Sequence, residues 1–388
     1  MSFHFGPEWG GALWPLLLGL TALWTALLVF GVFETRALPQ LGPVPPPPGA
    51  PRVVAVVPAR DEAHQIERCL RSLLQQDWPD LRVVCVDDRS TDGTLQLAQA
   101  IALGDPRLTV IAGTELPAGW LGKNHANAQG VAAAGPAELY LFTDADTVHA
   151  PAALASTYAS LQQHRVGLVS ILTDLELHSF WEKALLTNVI GTIASAFPLR
   201  LVNDPKSQVA IGNGQYMLVR RAAYEAIGGH QAIRDRVADD LELARLIKRG
   251  GHGLRIENGR RLVSVRMYTN LADIWSGFVK NGAAGAGGSL LALLGAALLA
   301  LTLLPFAVLP WALARGDLDL AALAAAGVVA AWGQRLLLYR ALFSIPSGYA
   351  LLLPLSQLML AGILVHSAAR RLTGRGPVWK GRAYPGAR

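Results

Sequence analysis

Val83–Thr94 reads VVCVDDRSTDGT, an apolar run that ends in two adjacent aspartates and a polar turn containing Gly93. An unbroken apolar run bounded by such a turn describes a strand buried on both faces. Asp92 is then the expected cap of a helix that continues through Leu103. The same grammar recurs on both sides of this stretch. Strand-like runs occur at Val53–Val57, Arg82–Val86, Leu108–Ala112, Leu139–Thr143 and Val166–Ser170. Helical patterns separate them: Ala63–Gln76 puts Ile66, Cys69, Leu70, Leu73 and Leu74 on one face, and Pro151 opens a third helix. The expected fold class is α/β, a mainly parallel sheet flanked by helices, with ligands bound beyond the carboxyl ends of the strands.

Acidic clusters mark those positions: Asp61-Glu62, Asp87-Asp88, Asp144-Ala145-Asp146 and Asp239-Asp240. Burying so many carboxylates together is costly unless a cation or hydrogen-bond donors compensate them. Two carboxylates one residue apart after the run Leu139–Thr143 can hold a hard cation such as Mg²⁺ or Mn²⁺, with substrate phosphates as further ligands. At Asp87-Asp88 one carboxylate can accept from a nucleobase N–H, whereas a plain capping turn accounts only for Asp92. Asp239-Asp240 opens the helical pattern Leu241, Ala244, Ile247, Lys248, so that one of the pair is an N-cap candidate and the other is left free. Lys123, in GWLGKNHANAQG, is either a point charge for a phosphate or an exposed loop lysine. His125 and His149 lack ligand spacing and read as polar loop residues. Cys69 and Cys85 lie in apolar patterns and read as small core residues.

The order of VAVVPARDE (Val54–Glu62), VVCVDDRSTDGT, the D-x-D at Asp144–Asp146, GNGQYMLVRRAAYEAIGG (Gly212–Gly229) and ADDLELARLIKRGG (Ala238–Gly251) resembles the family 2 inverting glycosyltransferases with a GT-A fold. The resemblance covers about Arg52 to Lys280. It implies that Pro58, Arg60, Glu62, Asp87, Asp88, Lys123 and Asp144 bind a nucleotide-sugar donor, with Asp88 on the uracil of a UDP-sugar. It also implies that Asp146, with Asp144, holds Mn²⁺ or Mg²⁺. Asp240 would be the base that deprotonates the acceptor and Asp239 its supporting carboxylate, although the family usually has Glu-Asp there. The Q-x-x-R-W motif of processive members does not occur, and RMYTNLADIWSGFVKN (Arg266–Asn281) is similar to members that glycosylate carotenoids or other isoprenoid lipids, with relatives linked to hopanoids. One sugar per event, transferred to a lipid acceptor, is the implied activity.

Composition adds the membrane. Hydrophobic residues make up 52% of the 388 and charged residues 16%, with a mean hydropathy of +0.33, which excludes a disordered chain and an ordinary soluble one. Gly11–Phe33 is an uncharged stretch long enough to span a bilayer and lacks a basic start, so an uncleaved anchor is expected over 1–37, N-terminus outside. A proline-rich linker follows over 38–51, then the glycosyltransferase domain over 52–283. Leu290–Ala314, Leu318–Gln334 and Ala341–Ala369 are membrane candidates within 284–369, and a basic cytoplasmic tail occupies 370–388.

With a cytoplasmic catalytic domain, three C-terminal spans place that tail on the wrong side. Hence either one segment is re-entrant, Ala341–Ala369 being the candidate, or the count is two or four. Ala184–Leu199 is uncharged but short, and reads either as a core helix or as a dip into the membrane. Trp275, Phe278 and Lys280 suit a helix at headgroup level.

Charge agrees with a membrane protein. The 34 Lys+Arg and 28 Asp+Glu give +6, and six of the basic residues lie in the acid-free stretch Arg370–Arg388, so nucleic acid is not the expected partner. The partners expected are a nucleotide-sugar, a lipid acceptor and the bilayer of a bacterial-type cell membrane, with the oligomeric state left open. The alternatives are a polyprenyl-phosphate glycosyltransferase and a non-catalytic nucleotide-sugar-binding membrane protein. A dinucleotide enzyme is disfavoured because PARDE stands where a Gly-rich phosphate turn belongs.

Overall fold

The structure is a computed structural model that describes residues 8–375, 378–379 and 382–383. The chain forms two compact units. One comprises 38–176, 197–268 and 373–388; the other comprises 1–37, 177–196 and 269–372.

Besides the short pair Val378–Trp379 and Arg382–Ala383, the described residues of the first unit form the strands β1 (Val53–Ala59), β2 (Leu81–Asp87), β3 (Leu108–Ala112), β4 (Leu139–Phe142), β5 (Thr147–His149), β6 (Leu168–Leu172), β7 (Asp174–Leu175), β8 (Met217–Arg220), β9 (Leu254–Asn258) and β10 (Val263–Val265). Seven form the main sheet in the order β3-β2-β1-β4-β8-β6-β9, and β5, β10 and β7 form a small second sheet. Every pairing in the main sheet is parallel except those of β8, which runs against both β4 and β6. Val53–Val57 and Val83–Val86 are buried on both faces, as unbroken apolar strands require. The expected strand at 166–170 is displaced by two residues, to 168–172.

Chain order reverses beside β1. From β1 the chain moves outward through β2 to β3, and then returns to place β4 on the other side of β1. That reversal opens a crevice at the carboxyl ends of β1 and β4, the usual ligand position in an open α/β sheet. The helix Gly122–Ala133 packs across β1 and β2 because Gly130 has no side chain. A Cβ at Gly130 would lie 2.4 Å from Val56 Cγ1 and 3.2 Å from Val86 Cγ2.

Several local expectations change. The segment 38–51 does not stand free, since Leu41 N–H donates to Asn258 O at 3.0 Å and Val44 N–H to Ser156 Oγ at 3.3 Å. Asp92 accepts from Thr94 N–H at 3.0 Å, yet the cap position belongs to Gly93, whose φ of 95° is left-handed. Neither Asp239 nor Asp240 is an N-cap; Ala238 is, and both aspartates lie in the first turn of the helix Asp239–Arg249.

Among the described residues of the second unit, four helices are long and apolar enough to cross a membrane: Leu13–Arg36, Ser289–Arg315, Leu318–Leu342 and Ser347–Leu372. The first and third run in the same direction, because Thr21 Oγ1 reaches Leu323 O at 3.3 Å while Leu28 packs on Gly333 and Leu337 on Gly31. The fourth starts part-way along them, with Leu353 clustered against Trp24, Ala330 and Ala331. It ends beside Ala283, whose N–H donates to Ser367 Oγ at 2.8 Å. Ser347–Leu372 therefore starts part-way along the first and third helices and finishes against the helix Leu271–Gly285.

A polar layer crosses this unit near the start of Ser347–Leu372. Trp24 Nε1–H donates to Thr302 O, Gln357 to Thr302 Oγ1 and Asn188 to Gln357 Oε1, at 2.9, 3.3 and 3.3 Å. Arg335, 2% exposed, donates to Thr187 O and Oγ1 at 3.3 and 3.2 Å and stacks its guanidinium 4.8 Å from the Tyr339 ring centroid. Asn188 and Thr187 belong to 177–196, so that stretch packs with the apolar helices instead of in the α/β core. Phe278 is buried in the helix Leu271–Gly285, and Trp275 Nε1 meets His366 Nδ1 at 3.0 Å, so the pair packs inward more than a purely headgroup-facing helix requires.

Substituting Gly130→Ala overpacks the crossing of the helix Gly122–Ala133 on β1 and is expected to destabilise the α/β unit by about 1–3 kcal/mol. Thermal unfolding of the detergent-solubilised protein checks this, and an unchanged midpoint contradicts it.

Candidate active site

Three strand ends and two helix starts supply the site. Asp87 closes β2, Pro58 lies in β1 just before Arg60–Glu62, and Asp144 and Asp146 follow β4. Lys123 sits in the first turn of the helix Gly122–Ala133. Register fixes the neighbours: Ala59 pairs with Asp87, and Val56 with both Val84 and Phe142, so the turns after β2, β1 and β4 emerge side by side.

Lys123 is the hub. Its Nζ lies 2.7 Å from Asp144 Oδ1 and 3.3 Å from Asp239 Oδ2. Burial draws the ammonium down, but the charges of Asp144, Asp239 and Asp240 outweigh that and hold it well above its ordinary value. Lysine thereby ties the D-x-D turn to an acidic pair that follows 95 positions later in sequence number. Pro58, Lys123, Asp144, Gly214, Asp239 and Asp240 line one recess.

Asp240 is oriented by the backbone. Gly214 N–H donates to its Oδ2 at 3.1 Å and Leu241 N–H to its Oδ1 at 2.7 Å. Burial, then the neighbouring charge of Asp239, pushes its acid up to about 6 against the downward pull of Lys123. A carboxylate poised there, beside an open recess, suits proton abstraction.

Asp146 has a different environment. Burial, with the charges of Asp144 and Glu62, holds its acid well above the carboxylate range, and its buried Oδ1 has no hydrogen-bond partner. Among the described residues no three His, Cys, Asp or Glu side chains converge into a metal-holding group. Two carboxylates with one orphaned oxygen nevertheless fit a divalent cation whose remaining ligands are substrate oxygens.

Asp88 lies at the other side of β1. It is 4% exposed, and its carboxylate receives Arg382 Nη1 at 3.0 and 3.2 Å, with Arg60 Nη1 at 3.9 Å from Oδ2. Arg60 also donates to the Asp88 carbonyl at 2.6 Å. Asp87 accepts from Ser90 N–H at 3.1 Å, and its buried Oδ1 is without a partner. The turns after β1 and β2 each contain a left-handed non-glycine residue, Asp61 at φ 51° and Arg89 at φ 59°. They are latched together: Thr91 N–H donates to Asp61 Oδ1 at 2.8 Å and Glu62 N–H to Thr94 Oγ1 at 2.8 Å. Strain of this kind persists where surrounding contacts over-determine it.

The ten sequence-predicted residues thus fall at one sheet edge, with Lys123 in direct contact with Asp144 and Asp239, Asp240 lining the same recess, and Asp88 in a second cluster with Arg60. Gly214 N–H and Arg382 are the additions. Gly214 stands in the GNGQYM motif and could have been singled out there; Arg382 gives no sequence signal beyond its charge. The two histidines are not loop residues. His125 lies in the Lys123 helix beside Gln129, and His149 lies in β5, where burial draws its imidazole down to about 3. His149 meets Ser72 Oγ at 3.2 Å and Thr143 Oγ1 at 3.1 Å, which props the residue before Asp144.

Residues 51–270 match the family model described as glycosyltransferase like family 2. The chain belongs to this family. Among curated relatives it is 26% identical over 238 residues to a 4,4'-diaponeurosporenoate glycosyltransferase of Staphylococcus aureus strain USA300, covering 60% of this chain and 61% of that one. The protein of the same name from strain MRSA252 is 28% identical over 241 residues. The match thus spans about three fifths of those relatives' length. Among solved structures, a mannosyltransferase from Pyrobaculum calidifontis in complex with GDP-Man and Mn²⁺ superposes with a TM-score of 0.54 at 21% identity, over 92% of this chain and 99% of that one. The fold of this family member is therefore GT-A.

A Cβ at Gly214 would lie 3.0 Å from Lys123 Nζ and 3.4 Å from Asp240 Oδ2. Because the lysine end is flexible, Gly214→Ala displaces it without unfolding the sheet. Glycosyl transfer is expected to fall about 10–100-fold with the unfolding midpoint nearly unchanged. Equal losses of stability and activity contradict the site role.

Proposed function

We propose that this family 2 enzyme is an integral-membrane, inverting glycosyltransferase. It moves one sugar from a nucleotide-sugar, a UDP-sugar in this reading, to a lipid acceptor, with the α/β unit in the cytoplasm. The observation that carries it is the Lys123 bridge, which sets the D-x-D turn beside the Asp239-Asp240 pair. The four apolar helices, and the curated relatives named for a diaponeurosporenoate substrate, support a lipid acceptor at a membrane.

In this mechanism Asp88 accepts from the N–H of the uracil, and Pro58, Arg60, Glu62 and Asp87 shape the crevice for the nucleoside. Asp146, with Asp144, would hold Mn²⁺ or Mg²⁺, which when bound neutralises charge on the departing diphosphate. Lys123 is a second cation for the same charge. Asp240 takes the proton of the acceptor hydroxyl as that oxygen attacks the anomeric carbon from the face opposite the leaving diphosphate, and configuration inverts. Gly214 N–H keeps the Asp240 carboxylate aimed, and Asp239 keeps its basicity high by like-charge repulsion.

Asp240→Asn is expected to lower kcat on a hydroxyl lipid by about 100–10,000-fold, with donor binding retained. Activity within a few-fold of wild type assigns the base elsewhere. The base must be ionised, so kcat/KM should rise with pH through about 6. In Asp239→Asn a raising influence is removed, so the acid limb should move to lower pH. A limb that stays or moves up contradicts the coupling.

A further inference from the structure

Six basic residues and no acid lie between Arg370 and Arg388, and the ordinary role of such a tail is to face an anionic membrane surface. The chain does something else with at least one of them. The described residues after 372 cluster with the α/β unit, and Val378 pairs antiparallel with Ala383 and Trp379 with Arg382. The Arg382 guanidinium lies at Asp88, 294 positions away in sequence, with Nη1 3.0 Å from Oδ2 and 3.2 Å from Oδ1. The side chains are 19% and 5% exposed, so solvent screens this pair far less than a surface ion pair.

Without Arg382, the cation that faces the Asp88 side chain is Arg60, whose Nη1 stands at 3.9 Å from Oδ2 while donating to the Asp88 carbonyl at 2.6 Å. Arg60 is thus committed to the backbone. The close contact, in which one nitrogen, Arg382 Nη1, donates to both carboxylate oxygens, comes from the tail. The turn that carries Asp88 also contains the left-handed Arg89, a conformation that needs support from its surroundings.

We propose that Arg382 is a specificity-determining positioning residue of the donor site: it holds the Asp88 carboxylate in the orientation that reads the nucleobase edge. The inference rests on the assignment of Asp88 to base recognition made above. Its chemistry is definite. A carboxylate accepts from uracil N3–H, whereas cytosine carries no proton on N3, so a fixed Asp88 favours UDP over CDP, and an unfixed one discriminates poorly. Sites built to pair a donor reject ligands that lack it because a buried acceptor is then left unpaired.

The test is calorimetric titration of UDP and CDP into the full-length protein in detergent, with Mn²⁺ present. Arg382→Ala is expected to weaken UDP about 10-fold and to shrink the UDP/CDP ratio by a similar factor, corresponding to about 1.4 kcal/mol. CDP should change little, and Arg382→Lys should recover part of the ratio. Arg375→Ala, an exposed tail residue, is the control and should leave both affinities as they are. In turnover, Arg382→Ala should raise the donor KM with kcat nearly unchanged, a split that general destabilisation does not produce.

Unchanged or tighter UDP binding in Arg382→Ala, or an equal loss on both nucleotides, overturns the proposal and leaves the glycosyltransferase assignment standing. Failure of the wild-type protein to bind either nucleotide removes the base-recognition role of Asp88 and this proposal with it. Trypsin reports the docking separately: Asp88→Asn should speed cleavage after Arg382, and an unaltered rate means that the pair does not hold the tail.

Discussion

An ammonium group between two carboxylates organises the catalytic end of this molecule. Lys123 touches Asp144 at 2.7 Å and Asp239 at 3.3 Å, and those two acids stand 95 positions apart in the sequence. Three further acids, Glu62, Asp146 and Asp240, feel the same field. Gathering that much negative charge at a sheet edge is tolerable only with positive charge inside the cluster. Lysine supplies one unit, and the orphaned Oδ1 of Asp146 shows that the compensation is incomplete. In the proposed function the remaining compensation comes from a nucleotide-sugar that brings its own divalent cation.

The scaffold explains why the cluster forms there. Parallel strands all finish at one edge, the reversal of chain order beside β1 leaves a gap between its turn and that of β4, and the antiparallel β8 follows the Gly212–Gln215 loop that meets Asp240. Close approach of the Lys123 helix to β1 depends on the missing side chain of Gly130, and close approach of Lys123 to Asp240 on that of Gly214. Both glycines therefore act through space they leave open, not through backbone freedom.

Much of this was legible in the sequence because each signal is local. Unbroken apolar runs such as Val53–Val57 announce buried parallel strands, and paired acids directly after them announce a ligand edge. Features made by distant residues were not legible. The helix Thr187–Ala196 has a core-like length and composition, and its place among the apolar helices depends on Thr187 and Asn188 meeting Arg335 and Gln357. The start of Ser347–Leu372 part-way along its neighbours likewise depends on Leu353 meeting Trp24, Ala330 and Ala331. Arg382 looked like any tail cation until the pairing of 378–379 with 382–383 brought it to Asp88. A cap was misassigned at Asp239-Asp240 because Ala238 occupies that position without any side-chain bond.

The central claim is that the acidic edge of the sheet binds a nucleoside diphosphate together with a divalent ion through Asp146. Electron paramagnetic resonance of Mn²⁺ titrated into the full-length protein, with and without UDP, tests it most directly. One Mn²⁺ bound tightly only when UDP is present, and lost in Asp146→Asn while the unfolding midpoint holds, is the predicted result. Mn²⁺ binding that is indifferent to UDP, or that survives unchanged in Asp146→Asn, would contradict the account.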